Sequence, residues 1–351
     1  MKKIVSKIGF YALPLILVCA LVYMCSNGGN VSTTELSDNN FFTAMITDGG
    51  GVNDQSFQQS AWEGMKQLSQ ETGAVTRYVE CPQASDFLIN MDKLADEKIN
   101  LIWGTGYKLA DIIELAAKTN PELNYAIADY SYGEKTLDNV TGVVFRSQES
   151  AFVVGYIAAM TTKSNCIGFI GGIQGLVIDQ FEYGYRAGAA YAAKELGKNI
   201  AVRVQYAESF SDAAKGKAIA IKMFDECDVL FHAAGGTGVG VIEAAKETGK
   251  FVIGADMDQS YLAPNNVITS AIKDVGKAIT IVSKLVMNGE NIGGRTFSFG
   301  LKEGCVRITK NSRHLSDITK RYAKEVEDKI SDGEIIPPAN LQEFEQFIKE
   351  I

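Results

Sequence analysis

Histidine is almost missing from this chain. Only His232 and His314 occur in 351 residues, far apart in sequence. A histidine-rich metal site or a conventional Ser/His/Asp triad is therefore poorly supplied, with His232 alone left open to a chemical role. Long basic runs are missing too. A net charge of -8 with nothing to offset it locally argues against a nucleic-acid surface. The six cysteines (Cys19, Cys25, Cys81, Cys166, Cys227 and Cys305) show no CxxC or other metal spacing. Cys166 and Cys227 lie in apolar runs and are expected as buried thiols rather than disulfide partners. No Gly-Lys-Ser/Thr occurs, so the phosphate loop of nucleotide hydrolases is absent. No cofactor and no metal are expected.

What is present is an ordinary globular body, 46% apolar and 22% charged, long enough for about two domains. It follows an export signal. Lys2, Lys3 and Lys7 form a basic start, Ile8 to Met24 is apolar, and Cys25 precedes a polar stretch from Ser26 to Asn40. The pattern resembles a bacterial lipoprotein signal, with Cys25 as the lipidated N-terminus and the polar stretch as a tether. The alternative is a retained transmembrane anchor. Both place the body outside the cytoplasmic membrane.

The body is organised around Thr47 to Phe57, Thr-Asp-Gly-Gly-Gly-Val-Asn-Asp-Gln-Ser-Phe. An apolar run, Phe41 to Ile46, leads in. Phe57, Ala61, Gly64, Met65 and Leu68 lead out on one face of a helix that Asn53 or Asp54 can cap and Gly73 can end. Strand, glycine-rich bend and helix N-terminus make a ligand-bearing loop in an open α/β sheet. The same stretch also reads as a tight turn with capping residues.

Similar units recur. Strands are predicted at 41–46, 74–79, 100–104, 125–128 and 140–145, with helices at 57–71, 85–97 and 108–118. Gln148 to Thr162 is apolar nearly all round and reads as a buried helix, with Glu149 near its positive end. A second alternating set runs from Cys166 to Ala255. Later strands are predicted at 267–272 and within 296–308, and a last helix ends near Gly333. This alternation implies parallel sheets covered by helices, in two similar lobes.

Polar or glycine-rich turns come directly after several strands: Asp129, Gly171-Gly172, Gly235 to Gly240, Asp256 with Asp258, and Lys273. The Gly235–Gly240 run mimics a dinucleotide fingerprint, with Asp256 about twenty residues on, but the strict G-x-G-x-x-G spacing fails. A nucleotide-dependent enzyme is disfavoured.

Taken in order, Asp48 to Phe57, Glu149 to Met160, Ile167 to Gly172, Phe181-Glu182 with Gly184-Tyr185, Phe210-Ser211-Asp212, Ala233 to Gly240 and Ile253 to Gln259 resemble the basic membrane protein family. These are lipoproteins of the purine nucleoside receptor (PnrA-like) type, and the resemblance spans Phe41 to Gly333. It implies an α/β type I periplasmic-binding-protein fold, with two Rossmann-like lobes, three crossings and a ligand cleft between. The expected division is residues 1–25 signal, 26–40 tether, 41–147 plus 257–296 lobe one, 148–256 plus 297–336 lobe two, and 337–351 a tail. The resemblance also implies a membrane-anchored monomer, not an enzyme, that delivers purine nucleosides to the permease and ATPase subunits of an ABC importer.

By the same resemblance, Phe57 and Phe210 match the aromatic pair that sandwiches a purine. Asp48, Asn53 and Asp129 match positions around the base. Asp256 and Lys273 match those holding the ribose hydroxyls, Gly235 gives backbone, and Phe181 lines the cleft. Trp62 and Trp103 are expected to be packing residues. Two other readings stay open: the same fold with a sugar or signalling molecule, and a surface adhesin or antigen with a vestigial cleft.

Overall fold

Alternating β-rich and amphipathic segments fold into two six-stranded sheets in the computed structural model, which describes residues 41–97, 99–309 and 313–351. In the first sheet β1 (Phe42–Thr47) lies between β2 (Val75–Val79) at the edge and β3 (Leu101–Thr105), followed by β4 (Asn124–Ala128) and β5 (Val140–Phe145). Helices α1 (Phe57–Thr72), α2 (Phe87–Asp96) and α3 (Ala110–Thr119) cover it. The second sheet holds β6 (Cys166–Gly171), β7 (Ala201–Tyr206), β8 (Val229–Ala233), β9 (Phe251–Asp256) and β10 (Val267–Lys273). Helices α4 (Ser147–Thr161), α5 (Leu176–Leu196), α6 (Ala213–Met223) and α7 (Thr237–Thr248) lie within that half. The expected α4 is borne out: every residue from Ser150 to Ala159 is buried. Gly73, in the left-handed region at φ 77°, ends α1.

After β10 the chain makes α8 (Val275–Met287), β11 (Arg295–Phe299), β12 (Val306–Ile308), α9 (Asp317–Ser331) and α10 (Leu341–Glu350). Two expected boundaries change here. Residues 257–296 are expected in lobe one, yet β10 pairs in parallel with β9, Ile272 opposite Asp256, in the second sheet. Residues 297–336 are expected in lobe two, yet β11 pairs with β5 through Phe299, opposite Phe145, and closes the edge of the first sheet. The reason is that β10 is buried along its whole length, Thr269, Ser270 and Lys273 included, and a strand buried on both faces fits inside either sheet. The chain therefore passes between lobes after β5, between β10 and α8, and between β11 and β12, where β12 runs antiparallel to β10.

The expected tail at 337–351 is also different. Following Pro337-Pro338, α10 lays Phe344 against Tyr183 at 5.8 Å and Phe347 edge-on to Phe152 at 5.6 Å. The Arg186 guanidinium lies 4.4 Å from the Phe344 centroid. Trp103, fully buried, donates from Nε1 to Ser283 Oγ at 3.1 Å, a packing role as expected. Cys25 lies outside the described residues. Among those residues no helix is long and apolar enough to cross a membrane.

Candidate functional site

The strand ends decide the site. In both sheets the C-terminal ends of parallel strands face one cavity of about 380 Å³, a size within the usual range for small-molecule sites. Asp48 follows β1, Asp129 follows β4, Asp256 ends β9 and Lys273 ends β10. Asp48, Phe57, Asp129, Phe181, Phe210, Gly235, Asp256 and Lys273 all line this cavity. Asn53 does not. It is exposed, its backbone oxygen accepts from Gln55 Nε2 at 3.1 Å, and its neighbour Asp54 lines the cleft instead. Asp54 also caps α1, accepting from the backbone N–H of Ser56, Gln58 and Gln59 at 2.9 to 3.0 Å.

Lys273 is the electrostatic centre. It is 3% exposed, with Nζ 2.6 Å from Asp129 Oδ2 and 3.9 Å from Asp256 Oδ1. Its ammonium lies 4.5 Å from the ring centroid of Phe57, 5.6 Å from Phe181 and 5.7 Å from Phe145. Three rings and two carboxylates replace the water such a cation loses on burial. Asp129 and Asp256 adopt positive φ, 64° and 66°, uncommon for residues other than glycine. Neither precedes a helix as a cap would; each turns its carboxylate toward Lys273. Ser56 Oγ donates to Asp256 Oδ2, tying the first loop to the second lobe. Burial pushes Asp256 above the ordinary carboxylate range, against the pull of Lys273 and Ser56.

Asp48 occupies the other flank. Gln58 Nε2 donates to its Oδ1 at 3.0 Å and to the Thr105 carbonyl at 2.8 Å, while Thr105 Oγ1 donates to Gln58 Oε1 at 2.6 Å. Burial pushes the Asp48 carboxyl up to about 6; Lys108 works against that rise and Asp129 with it. An acid raised from 3.8 to about 6 favours the folded state while protonated, and that contribution is lost as pH rises through about 6. Asp48→Asn removes the ionisation, so its melting temperature relative to the unaltered protein should increase from pH 4 to pH 7. A pH-independent difference in calorimetric scans would refute that sign.

His232, the histidine left open above, is fully buried in β8, its Nε2 2.9 Å from Gln259 Oε1, and burial holds it down at about 4. Gln259 Oε1 also accepts from Ala255 N–H, which makes the imidazole the donor from Nε2. Gln259 Nε2 in turn donates to the Gln55 carbonyl of lobe one at 2.8 Å. This histidine holds a loop in place and does not reach the cavity lining. The Gly235–Gly240 run likewise has a packing reason: a Cβ on Gly240 would lie 1.8 Å from the Ala213 oxygen, where α7 meets α6.

Lys108 and Glu208 also line the cleft and are not among the expected residues. Lys108 stands in the short 3-10 turn Tyr107–Leu109 just past the C-terminal end of β3. That is the same strand-end placement that marks Asp129 and Lys273, so its position carries the signal that could have found it.

Known proteins are similar to this chain in sequence and fold. Residues 41–341 match the model of the Bmp family, described as ABC transporter substrate-binding protein, PnrA-like. The chain is 40% identical over 337 residues to basic membrane protein A1 of Borrelia garinii subsp. bavariensis, covering 95% of this chain and 97% of that protein. It is 39% identical over 341 residues to basic membrane protein A of Borreliella burgdorferi, covering 96% and 98%. A solute-binding protein of an ABC transporter system from Aeropyrum pernix superposes with a TM-score of 0.79 at 26% identity, covering 88% of this chain and 97% of that one. A solute-binding protein from Agrobacterium vitis bound with α-D-tagatopyranose superposes at 0.60 with 15% identity over 81% and 99%, a likeness of fold alone. The two lobes, three crossings and intervening cleft are the type I periplasmic-binding-protein fold, and the chain belongs to the Bmp family of PnrA-like ABC transporter substrate-binding proteins.

Proposed function

We propose that this substrate-binding protein captures purine nucleosides and delivers them to the permease and ATPase subunits of an ABC importer. The observation that carries the reading is the pair of aromatic rings, Phe57 on lobe one and Phe210 on lobe two, lining one cavity together with Asp256 and Lys273. Two flat apolar faces suit a heterocycle, which stacks on each for roughly 1–3 kcal/mol. A carboxylate accepts from both hydroxyls of a vicinal diol, and an ammonium donates to a sugar oxygen. Asp48, Asp54, Asp129, Asp256 and Glu208 outnumber Lys108 and Lys273 in the lining, which favours an uncharged nucleoside over a nucleotide. Lipidation at Cys25 and anchorage to the cell membrane, facing the periplasm or exterior, belong to the same proposal.

Calorimetry tests it. Phe57→Ala and Phe210→Ala should each weaken nucleoside binding by roughly 1–3 kcal/mol. Asp256→Asn should cost about 1.5–3 kcal/mol for a ribonucleoside and much less for its 2′,3′-dideoxy form. Equal losses for the two sugars would mean that Asp256 does not read the ribose. Binding of free sugars in preference to nucleosides would replace the proposal with a sugar receptor.

A further inference from the structure

A second ammonium reaches the cleft, beyond the one caged by Asp129 and Asp256. Lys108 Nζ lies 5.4 Å from the ring centroid of Phe210. Lys108 belongs to lobe one and Phe210 to lobe two, so the amine spans the gap and covers the ring face turned toward lobe one. Behind that ring stand Gly172 and Gly235. A Cβ on Gly172 would fall 2.2 Å from Phe210 Cε1, so no base can enter from that side. A base stacking on Phe210 takes the front face and moves the ammonium to the rim of the base. The side chain is exposed and its four-carbon stem is flexible, so the move needs no backbone change.

Asp48 lies on the same flank. Gly106, two residues before Lys108, packs so close that a Cβ there would lie 2.0 Å from Asp48 Oδ2. Among the charges acting on the Asp48 carboxylate, that of Lys108 is the largest. A donor-only group and an acceptor group thus border the same cleft as the Phe210 ring.

We propose that Lys108 selects the base, making the cleft prefer 6-oxopurine nucleosides, guanosine and inosine, over adenosine. The assignment rests on the nucleoside reading above and names the class within it. A lysine only donates, and an ionised aspartate only accepts. Guanine and hypoxanthine present a carbonyl O6 beside an N1–H, so O6 accepts from Lys108 while N1–H donates to Asp48. Adenine presents the reverse pair, an amino donor at C6 beside a bare N1, and sets donor against donor and acceptor against acceptor. Polar sites reject such mismatches more sharply than apolar pockets reject a methylene. A hydrogen bond to a charged donor supports at least a tenfold effect, and exposure of Lys108 to solvent holds it near that value.

The test is titration calorimetry of guanosine, inosine and adenosine against the unaltered protein, Lys108→Met and Lys108→Arg. The unaltered protein should bind guanosine and inosine more tightly than adenosine. Lys108→Met keeps the apolar stem and loses the donor. It should weaken guanosine and inosine about tenfold and change adenosine less than twofold, while Lys108→Arg keeps the preference. Equal losses for all three nucleosides, or none, would overturn the assignment while leaving the nucleoside reading standing. No binding of any nucleoside by the unaltered protein would overturn that reading, and this proposal with it.

Discussion

Lys273→Met should destabilise the protein by about 3–5 kcal/mol, the usual cost of removing one partner from a buried ion pair. The cause is what the substitution leaves behind. Asp129 and Asp256 would face each other across the place of the ammonium that lies 2.6 and 3.9 Å from them. The rings of Phe57, Phe145 and Phe181 would lose a desolvated cation from their faces. Methionine fills the volume, so the loss is electrostatic and not a cavity. Its pH dependence identifies it. Asp256 is already raised by burial, and without Lys273 it rises further, so the variant binds protons in its folded state that the unfolded chain releases. Stability is then lost as pH rises, and the gap from the unaltered protein should be wider at pH 8 than at pH 5. Urea titrations at both values decide it. A gap independent of pH would mean that the loss does not come through the ionisation of Asp129 and Asp256.

The same geometry explains why the site joins the lobes. Lys273 ends β10 in the second sheet, immediately before the chain crosses to α8, and Asp129 follows β4 in the first. Ser56 with Asp256, and Gln55 with Gln259 and Tyr261, add bonds across the same line. Residues that line the cleft and residues that hold the lobes together are thus neighbours. Ligand binding and lobe closure can exchange free energy over a few ångströms.

Much of this architecture is legible in the amino-acid sequence. Strand boundaries such as Cys166–Gly171 and Val229–Ala233 follow from short apolar runs ended by glycine or polar residues. Asp129, Asp256 and Lys273 stand out because each lies at the C-terminal end of a strand in a parallel sheet. The departures have physical causes. β10 and β11 exchange lobes because a strand pattern, whether buried as in β10 or half-exposed as in β11, carries no label for the sheet it joins. Asn53 and Asp54 both suit a helix N-terminus, and only the direction of the bend decides which one turns inward. The α10 helix carries an amphipathic pattern, Leu341, Phe344 and Ile348 at i, i+3 and i+7, but nothing local shows what it packs on; it docks through Phe344 and Phe347 at the rim of the second lobe's core. Lys108 escapes a sequence reading although it obeys the same strand-end rule. Its ring partner, Phe210, is over a hundred residues away and on the other lobe, and nothing local announces the pairing.

Gly106→Ala should lose stability and ligand together, and its two causes can be separated. Gly106 sits at φ 121°, ψ 145°, a conformation that L residues avoid, so any side chain there costs about 1–3 kcal/mol of backbone strain. The new Cβ would also stand 2.0 Å from Asp48 Oδ2 and 2.2 Å from its Cγ, which drives the carboxylate out of its seat. Gln58 Nε2 then loses that acceptor, worth about 1 kcal/mol more. A displaced Asp48 changes the cleft lining, so under the proposed nucleoside reading affinity falls even where enough folded protein remains to measure it. Asp48→Ala in the Gly106→Ala background distinguishes strain from collision. With no carboxylate to displace, the Gly106→Ala step should cost only the strain, and the double variant should be more stable than the two single losses predict. If the losses simply add in denaturant titrations, Asp48 does not feel the Cβ, and glycine is required at 106 for its backbone angle alone.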